Sequence, residues 1–411
     1  MIGRRGPLLV MALALAVVRG GAAQAPVRLH EHPSIGYATA PTTDRVGALG
    51  RAIDNGTQSI ERDPRTGYLL PLLNVLGVPV ESQLLVFSKT GVQRAYTSPR
   101  TPRALYFDES VAIGYVPGAP QLEIAAHDPR QGVVFYTIDQ SSSTPKIVRT
   151  TSCLSCHVAP GTLDVPGLIA RSNTVDEDGS ILPAATHDVD HHTPHPDRWG
   201  GWFVTQDAAS VPYAQRAHAG NITTTARGET SNQVLVDWTN SEPERRGYLS
   251  PLSDIVALLV FDHQARAINL LTRLNWEARV AGASVPRLVN EIADYLLFVD
   301  EKPPAVPLFP RPGFAEHLEA RAPKDRQGRS LAQLDLDRRL FRYPCSYIIY
   351  APAFEALPVA VKSAVYQRMS DILSGADGSR KYASLSAADR RDVLDILRET
   401  RPDFPSSSAT R

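Results

Sequence analysis

The chain has 411 residues, with 43 basic and 43 acidic side chains and a formal net charge of zero. This balance gives no basic surface that would favour nucleic acid or an anionic membrane, so we expect neither as a partner. The length predicts two or three domains, or one large core into which a smaller segment is inserted.

The N-terminus has the pattern of an export signal. Arg4 and Arg5 form a positively charged region, residues 8–18 are apolar, and small residues lead to a cleavage site after Ala25. We expect a soluble periplasmic chain that starts at Pro26 and has 40 basic and 43 acidic side chains, a net charge near −3. The apolar run is too short to span a bilayer, and we expect no later stretch of that length.

The residues after the signal predict one helix and then a β-rich part. Residues 44–55 have a helical pattern with Asp44 as N-cap, and residues 69–80 are apolar but interrupted by prolines and a glycine, which indicates a buried connector. Six further segments are rich in β-branched and aromatic residues and are separated by turn signals: residues 83–88, 92–96, 104–107, 111–116, 121–126 and 132–138. We expect an antiparallel sheet or a small sandwich.

Helices are predicted to dominate after residue 250. Apolar residues recur at helical spacing in residues 253–281, and Pro286 begins a second predicted helix. Two more are predicted at residues 355–374 and 387–400. The expected fold class is α+β, with a β-rich N-terminal part, an irregular centre and a mainly helical C-terminal part. The expected divisions are a signal at residues 1–25, a β-rich domain at 26–150, a central segment at 151–250 and a helical domain at 251–411.

The central segment begins with a C-x-x-C-H motif at residues 153–157. Two thiols at this spacing, Cys153 and Cys156, can bind one haem covalently, and the imidazole of His157 can then bind its iron as proximal ligand. The export signal agrees with this prediction, because c-type haems are attached after export. A zinc site or a redox disulfide is the alternative, but the remaining cysteine, Cys345, is nearly two hundred residues away. We predict that Cys345 is a buried, inert thiol.

The second axial position of the iron is predicted to hold a histidine or to be open. The mature chain has one methionine, Met369, in a predicted helix where a core role is the simpler interpretation. His218 is the preferred ligand, because Gly220 beside it allows close approach to a porphyrin. His191 is second, and His263 is third, with a hydrogen-bonded core or surface position as its default.

A His-rich loop comes after the motif. Four histidines lie within nine residues: His187, His191, His192 and His195. Such a loop can place one imidazole on iron or hold a second metal ion, and a polar surface loop is the alternative. Arg198 and Trp199 come next. They predict contact with the haem, with Arg198 on a propionate, unless Trp199 and Trp202 are simply a buried pair in a strand.

Several blocks resemble a family of exported bacterial proteins that carry a single haem. The blocks are residues 104–107, 133–137, the motif with residues 165–167 after it, 198–205, 218–221 and 343–347. That family has no assigned reaction and is described only as cytochrome c domain-containing. Its members often read His-Met-Gly-Asn where this chain has Ala219 after His218, so the resemblance implies that His218 itself is the better axial candidate here. It also implies that Cys345 is a core position.

Two classes of function are consistent with these features. The favoured one is an electron carrier, which needs a coordinated iron, an exposed haem edge and a periplasmic redox partner protein. The alternative is a haem-dependent oxidoreductase, in which an open distal site works with a histidine and Arg198 as acid-base and electrostatic groups. Haem-based ligand sensing is a third interpretation. The sequence makes no prediction of oligomeric state.

Overall fold

The computed structural model describes residues 28–176, 178–205, 217–219, 223–224, 230–231, 234–235, 247–281, 285–304, 307–309 and 313–406. The predicted export signal therefore lies outside the described residues. Within them the chain has the expected α+β fold, because strands come mainly from the N-terminal half and helices mostly from the C-terminal half.

An antiparallel sheet is the centre of the fold. The strands are β1 (Leu84–Val86), β2 (Arg103–Phe107), β3 (Val111–Tyr115), β4 (Gln121–Asp128), β5 (Gly132–Asp139), β6 (Val148–Thr150), β7 (Arg171–Val175), β8 (Ile181–Asp188), β9 (Trp202–Thr205), β10 (Ala217–Ala219), β11 (Thr223–Thr224), β12 (Thr230–Ser231) and β13 (Val234–Leu235). The main sheet has the order β13-β10-β9-β1-β2-β3-β4-β5-β6, while β7 pairs with β8 and β11 with β12. Strands from the predicted β-rich domain and from the predicted central segment thus share one sheet, and the domain boundaries stay a prediction.

Five of the six predicted strands are confirmed, and one prediction was wrong. Residues 92–96 form turns. Their apolar side chains Val92 and Tyr96 point largely into solvent, and the Tyr96 N–H bonds locally to the carbonyl of Gln93. The apolar pattern there resembled a strand, but a strand also needs a neighbour to pair with, and these backbone groups bond within the turn instead.

The helices are α1 (Arg45–Asp54), α2 (Leu69–Leu76), α3 (Leu154–His157), α4 (Ile255–Ala281), α5 (Pro286–Leu296), α6 (Phe314–Arg321), α7 (Pro352–Glu355), α8 (Val359–Leu373) and α9 (Ala387–Thr400). The Asp44 carboxylate caps α1 as predicted. The connector predicted at residues 69–80 is corrected to helix α2. Pro71 is tolerated because it lies in the first turn, where backbone N–H groups have no intrahelical partner, and Gly77 ends the helix with φ of 62°.

The two faces of the sheet bury different partners. The face with Phe107 and Phe135 packs against α4 and the C-terminal helices, whereas the face with Tyr106 and Tyr136 packs against α1 and α2. We expected no apolar stretch of membrane-spanning length after the signal. This was wrong for Ile255–Val280, which by length and composition alone could span a membrane. However, 94% of its most apolar window is buried inside the protein, so the helix is explained by its place in the core.

Two predictions for the C-terminal part are confirmed. Met369 on α8 is fully buried among apolar side chains, so it has a structural role in the core. Cys345 is a free thiol and is also fully buried. Burial raises the pKa of Cys345 far above its usual value, which keeps the thiol protonated and unreactive.

Candidate functional site

The C-x-x-C-H motif lies on α3, a single helical turn that comes after the edge strand β6. The ring of His157 packs on Phe135 of β5, with 4.8 Å between the ring centroids. Cys153 is half-buried against the core and Cys156 is exposed, and neither thiol forms a disulfide. As predicted from the proline-glycine pairs, the motif does not begin a long helix; the chain makes a short 3₁₀ turn at Pro160–Thr162.

The state of the His157 ring is determined by one hydrogen bond. Its Nδ1 lies 2.7 Å from the carbonyl oxygen of Gly167. A carbonyl oxygen can only accept, so Nδ1 carries the proton and Nε2 keeps its lone pair. Among the described residues, Nε2 has no hydrogen-bonding partner. Burial also lowers the pKa of His157, so the ring is neutral. A neutral imidazole oriented through its Nδ1–H is the form that binds a metal ion.

Charged side chains from other strands surround the motif. Arg103 on β2 pairs with Glu123 on β4 at 3.1 Å, and Arg171 on β7 pairs with Asp188 on β8 at 2.8 Å. Both arginines are close enough to lower the pKa of His157 further. No local pattern in the sequence predicts these contacts, because the strand order β2-β3-β4 brings Arg103 to Glu123 across the intervening strand β3.

Arg198 and Trp199, which are predicted to contact a haem, contact residues of the His-rich loop in the structure. Arg198 is 3% exposed and its Nε donates to the carbonyl of Thr193 at 2.8 Å. Burial lowers the pKa of Arg198, against the opposing effect of Asp262 and other nearby acids. Trp199 has φ of 72°, and its ring meets His195 edge-on, with centroids 5.2 Å apart. No contact in the described part of the chain joins either residue to α3, and their contact with a haem stays a prediction.

The His-rich loop is only partly a surface loop. His187 is exposed, but His191 is 2% exposed and its ring stacks on Tyr295 of α5. The Nδ1 atoms of His191 and His263 are 2.8 Å apart, and His263 Nε2 is 2.6 Å from the hydroxyl of Ser346. The interpretation of the loop as polar surface is therefore wrong at His191. His263 has the hydrogen-bonded core position expected by default.

These contacts have consequences for metal binding. His191 also contacts His192 through its other nitrogen, with 3.1 Å between the two Nε2 atoms. Both nitrogens of His191 and of His263 thus have partners, and neither ring presents a free nitrogen to an iron in this arrangement. Within the described ranges, no group of three or more His, Cys, Asp or Glu side chains is placed to hold a metal ion. The second metal at the His-rich loop stays a prediction.

Unusual ionisation accompanies this histidine cluster. Burial lowers the pKa of His263 to about 3 and that of His195 to about 4. Burial also raises the pKa of Asp262, beside His263 on α4, to about 8, and its Oδ2 has no hydrogen-bonding partner in the described structure. At neutral pH His263, His195 and most of Asp262 are therefore uncharged. Arg198 keeps its charge, and so does Asp190, whose pKa is lowered, against the effect of burial, by its hydrogen bonds with His192.

His218, the preferred distal ligand, lies on β10 opposite Val204 of β9. Its side chain is outside what the structure describes, as are Gly220 and Asn221. The chain matches no model of a protein family, no curated protein and no solved structure. The resemblance to exported single-haem proteins therefore stays a prediction, and a function for the chain has to be inferred from the geometry around His157.

Proposed function

We propose that this protein is an exported c-type haem protein that transfers electrons through one haem. In this proposal Cys153 and Cys156 hold the haem covalently and His157 is the proximal iron ligand. The observation that carries it is the ring of His157, which is anchored through Nδ1 to a backbone carbonyl and free at Nε2, next to the exposed Cys156, which forms no disulfide. A bound haem supplies one-electron redox chemistry.

The residues around the motif fit such a group. Four half-buried apolar side chains suited to a porphyrin face pack against the same core as Cys153: Leu105, Leu154, Leu163 and Leu168. Arg103 and Arg171 supply guanidinium groups suited to the propionate carboxylates. Cys156 is exposed, which supports an open haem edge on that side. An open edge is what a carrier needs in order to exchange electrons with a partner protein in the periplasm.

Mass spectrometry tests the proposal directly. The chain is expressed with its signal in a host that has haem-attachment machinery, and the periplasmic fraction is analysed. We expect a chain that begins at Pro26 and carries the mass of one haem, and no added mass in the variant Cys153→Ala/Cys156→Ala. An unmodified wild-type chain under these conditions would overturn the proposal.

Absorption and electron paramagnetic resonance spectra then test the distal side. We expect a low-spin iron that becomes high-spin in His218→Ala and stays low-spin in Met369→Leu, since Met369 is fully buried on α8. His191→Phe is also expected to leave the spin state unchanged, because both ring nitrogens of His191 already have partners. A high-spin wild type would instead favour the haem-dependent oxidoreductase or the ligand sensor.

A further inference from the structure

The segment at residues 166–168 is held by three different elements through three consecutive carbonyls. The carbonyl of Pro166 accepts a hydrogen bond from the N–H of Val133 on β5 at 3.2 Å. The carbonyl of Gly167 accepts from Nδ1 of His157 on α3 at 2.7 Å. The carbonyl of Leu168 accepts from Nδ2 of Asn269 on α4 at 2.7 Å. The carbonyl that anchors His157 is therefore bracketed by a strand and by the central helix.

The amide of Asn269 contacts both sides of the peptide that carries the Gly167 carbonyl. Its Nδ2 donates to Leu168, and its Oδ1 occupies the space where a Cβ at position 167 would stand. A side chain at position 167 would displace this amide. The Asn269 side chain contacts both the Cα of Gly167 and the carbonyl of Leu168. The peptide between these two residues therefore has little freedom to rotate.

Packing alone does not explain an asparagine at this point of α4. Asn269 is fully buried, and its Oδ1 has no hydrogen-bonding partner in the described residues. An unpaired buried acceptor is unfavourable, and an apolar side chain of similar size would avoid it. An apolar residue would lack the donor Nδ2. This atom bonds to the carbonyl of Leu168, in the segment that anchors His157.

We propose that Asn269 is a positioning residue that sets the reduction potential of the iron bound by His157. The inference rests on the proposed haem attachment. A hydrogen bond from Nδ1–H to a carbonyl makes an imidazole a stronger electron donor, and a stronger donor stabilises ferric iron. By keeping the Gly167 carbonyl aimed at His157, Asn269 maintains that bond and holds the potential low.

The same helix provides a matched control. Asn275 is also buried, its Nδ2 also donates to backbone carbonyls, and its Oδ1 also lacks a hydrogen-bonding partner among described residues. Its acceptors, however, belong to Pro129 and Ala356, not to residues 166–168. Asn275→Leu thus removes a buried amide of the same kind without touching the anchor of His157.

Redox titration of the haem-loaded protein is the first test. In Asn269→Leu we expect a more positive midpoint potential, read as a several-fold higher ratio of ferrous to ferric protein at the same ambient potential. Asn275→Leu should keep the wild-type potential even if it loses as much stability in thermal unfolding. Equal potentials in all three proteins, or equal shifts in both variants, would overturn the inference.

Nuclear magnetic resonance of the haem-free chain with ¹⁵N-labelled histidine is the second test. The Nδ1–H proton of His157 should resonate downfield in wild type and in Asn275→Leu, and move upfield in Asn269→Leu as its hydrogen bond weakens. An unchanged resonance in Asn269→Leu would overturn the inference. If the wild type took up no haem, the proposed function would fail, while this measurement would still decide whether Asn269 controls the bond.

Discussion

The His157 imidazole donates its Nδ1–H to the carbonyl oxygen of Gly167 across 2.7 Å, while its face packs on Phe135. The acceptor is a backbone group, which has no protonation state to change, so the tautomer is the same at every pH at which the ring is neutral. A carboxylate in this position would attract a second proton to the ring. The backbone carbonyl instead leaves Nε2 as the one nitrogen free to bind a metal.

We expect His157 to titrate below its usual value of 6.5 in the haem-free protein, because burial opposes the charged form. Phe135→Ala uncovers the ring and should raise its pKa towards 6.5, at a cost of about 3–5 kcal/mol in stability. Chemical shifts of the ring measured against pH give both values. A wild-type pKa at or above 6.5 would contradict the burial of this ring.

Arg103 and Glu123 should shift the potential of the proposed haem in opposite directions. Removal of a positive charge near iron destabilises the ferrous form, so Arg103→Gln is expected to lower the midpoint potential, whereas Glu123→Gln is expected to raise it. Arg198→Gln should have the smaller effect, since Arg198 faces Asp262 and Asp190 and no described contact joins it to α3. Redox titrations measure the shifts. A larger shift in Arg198→Gln than in Arg103→Gln would contradict this ranking and support the contact between Arg198 and the haem that the sequence predicts.

Loss of His263 should destabilise the protein strongly. His263→Leu removes the partner of Nδ1 in His191 and the imidazole partner of the Ser346 hydroxyl, and each buried group left unpaired costs about 1–3 kcal/mol. Urea denaturation measures the change. His187→Ala is the control, because that ring is exposed and has one hydrogen bond, between its Nε2 and the carbonyl of Asp197, so its removal should change stability by no more than about 1 kcal/mol. Equal losses of stability in the two variants would mean that the buried hydrogen bonds of His263 stabilise the protein no more than the exposed ring of His187 does.

Asp262 should make stability fall with rising pH. Its pKa is about 8 in the folded protein against 3.8 for an exposed group, so between these values the folded state holds a proton that the unfolded state has released. The stability that this proton provides is fully present below pH 3.8 and is lost as pH rises to about 8. His263, with its pKa lowered to about 3, has the opposite effect, and its stability is lost as pH falls below 6.5.

The comparison of wild type with Asp262→Asn between pH 7 and pH 8 isolates the aspartate. Glu301, whose pKa burial raises to about 7, ionises over the same range, and its effect is present in both proteins. Relative to the variant, we expect the free energy of unfolding of wild type to fall by up to about 1.4 kcal/mol per pH unit. Urea denaturation at both pH values measures the difference. Equal slopes in the two proteins would assign the pH dependence to another group.

Local patterns in the sequence determined most of the secondary structure and the chemistry of the motif. The N-cap at Asp44 and the helix at Ala387–Thr400 were predicted as they occur, because capping and helical periodicity act over a few neighbouring residues. The C-x-x-C-H motif is local in the same sense, since five consecutive residues carry all the groups that the proposed haem attachment needs. The α+β class resulted from where strand and helix patterns fall along the chain.

Only the tertiary structure decided what surrounds those groups. The order of the strands brought Arg103 to Glu123 across β3, packing on α5 buried His191, and α4 brought Asn269 to Gly167 across about a hundred residues. The free energy of these contacts depends on which strands pair and which helix covers them, and it is shared among residues far apart in the chain. No short stretch of sequence contains both partners of such a contact, so no local pattern predicts it.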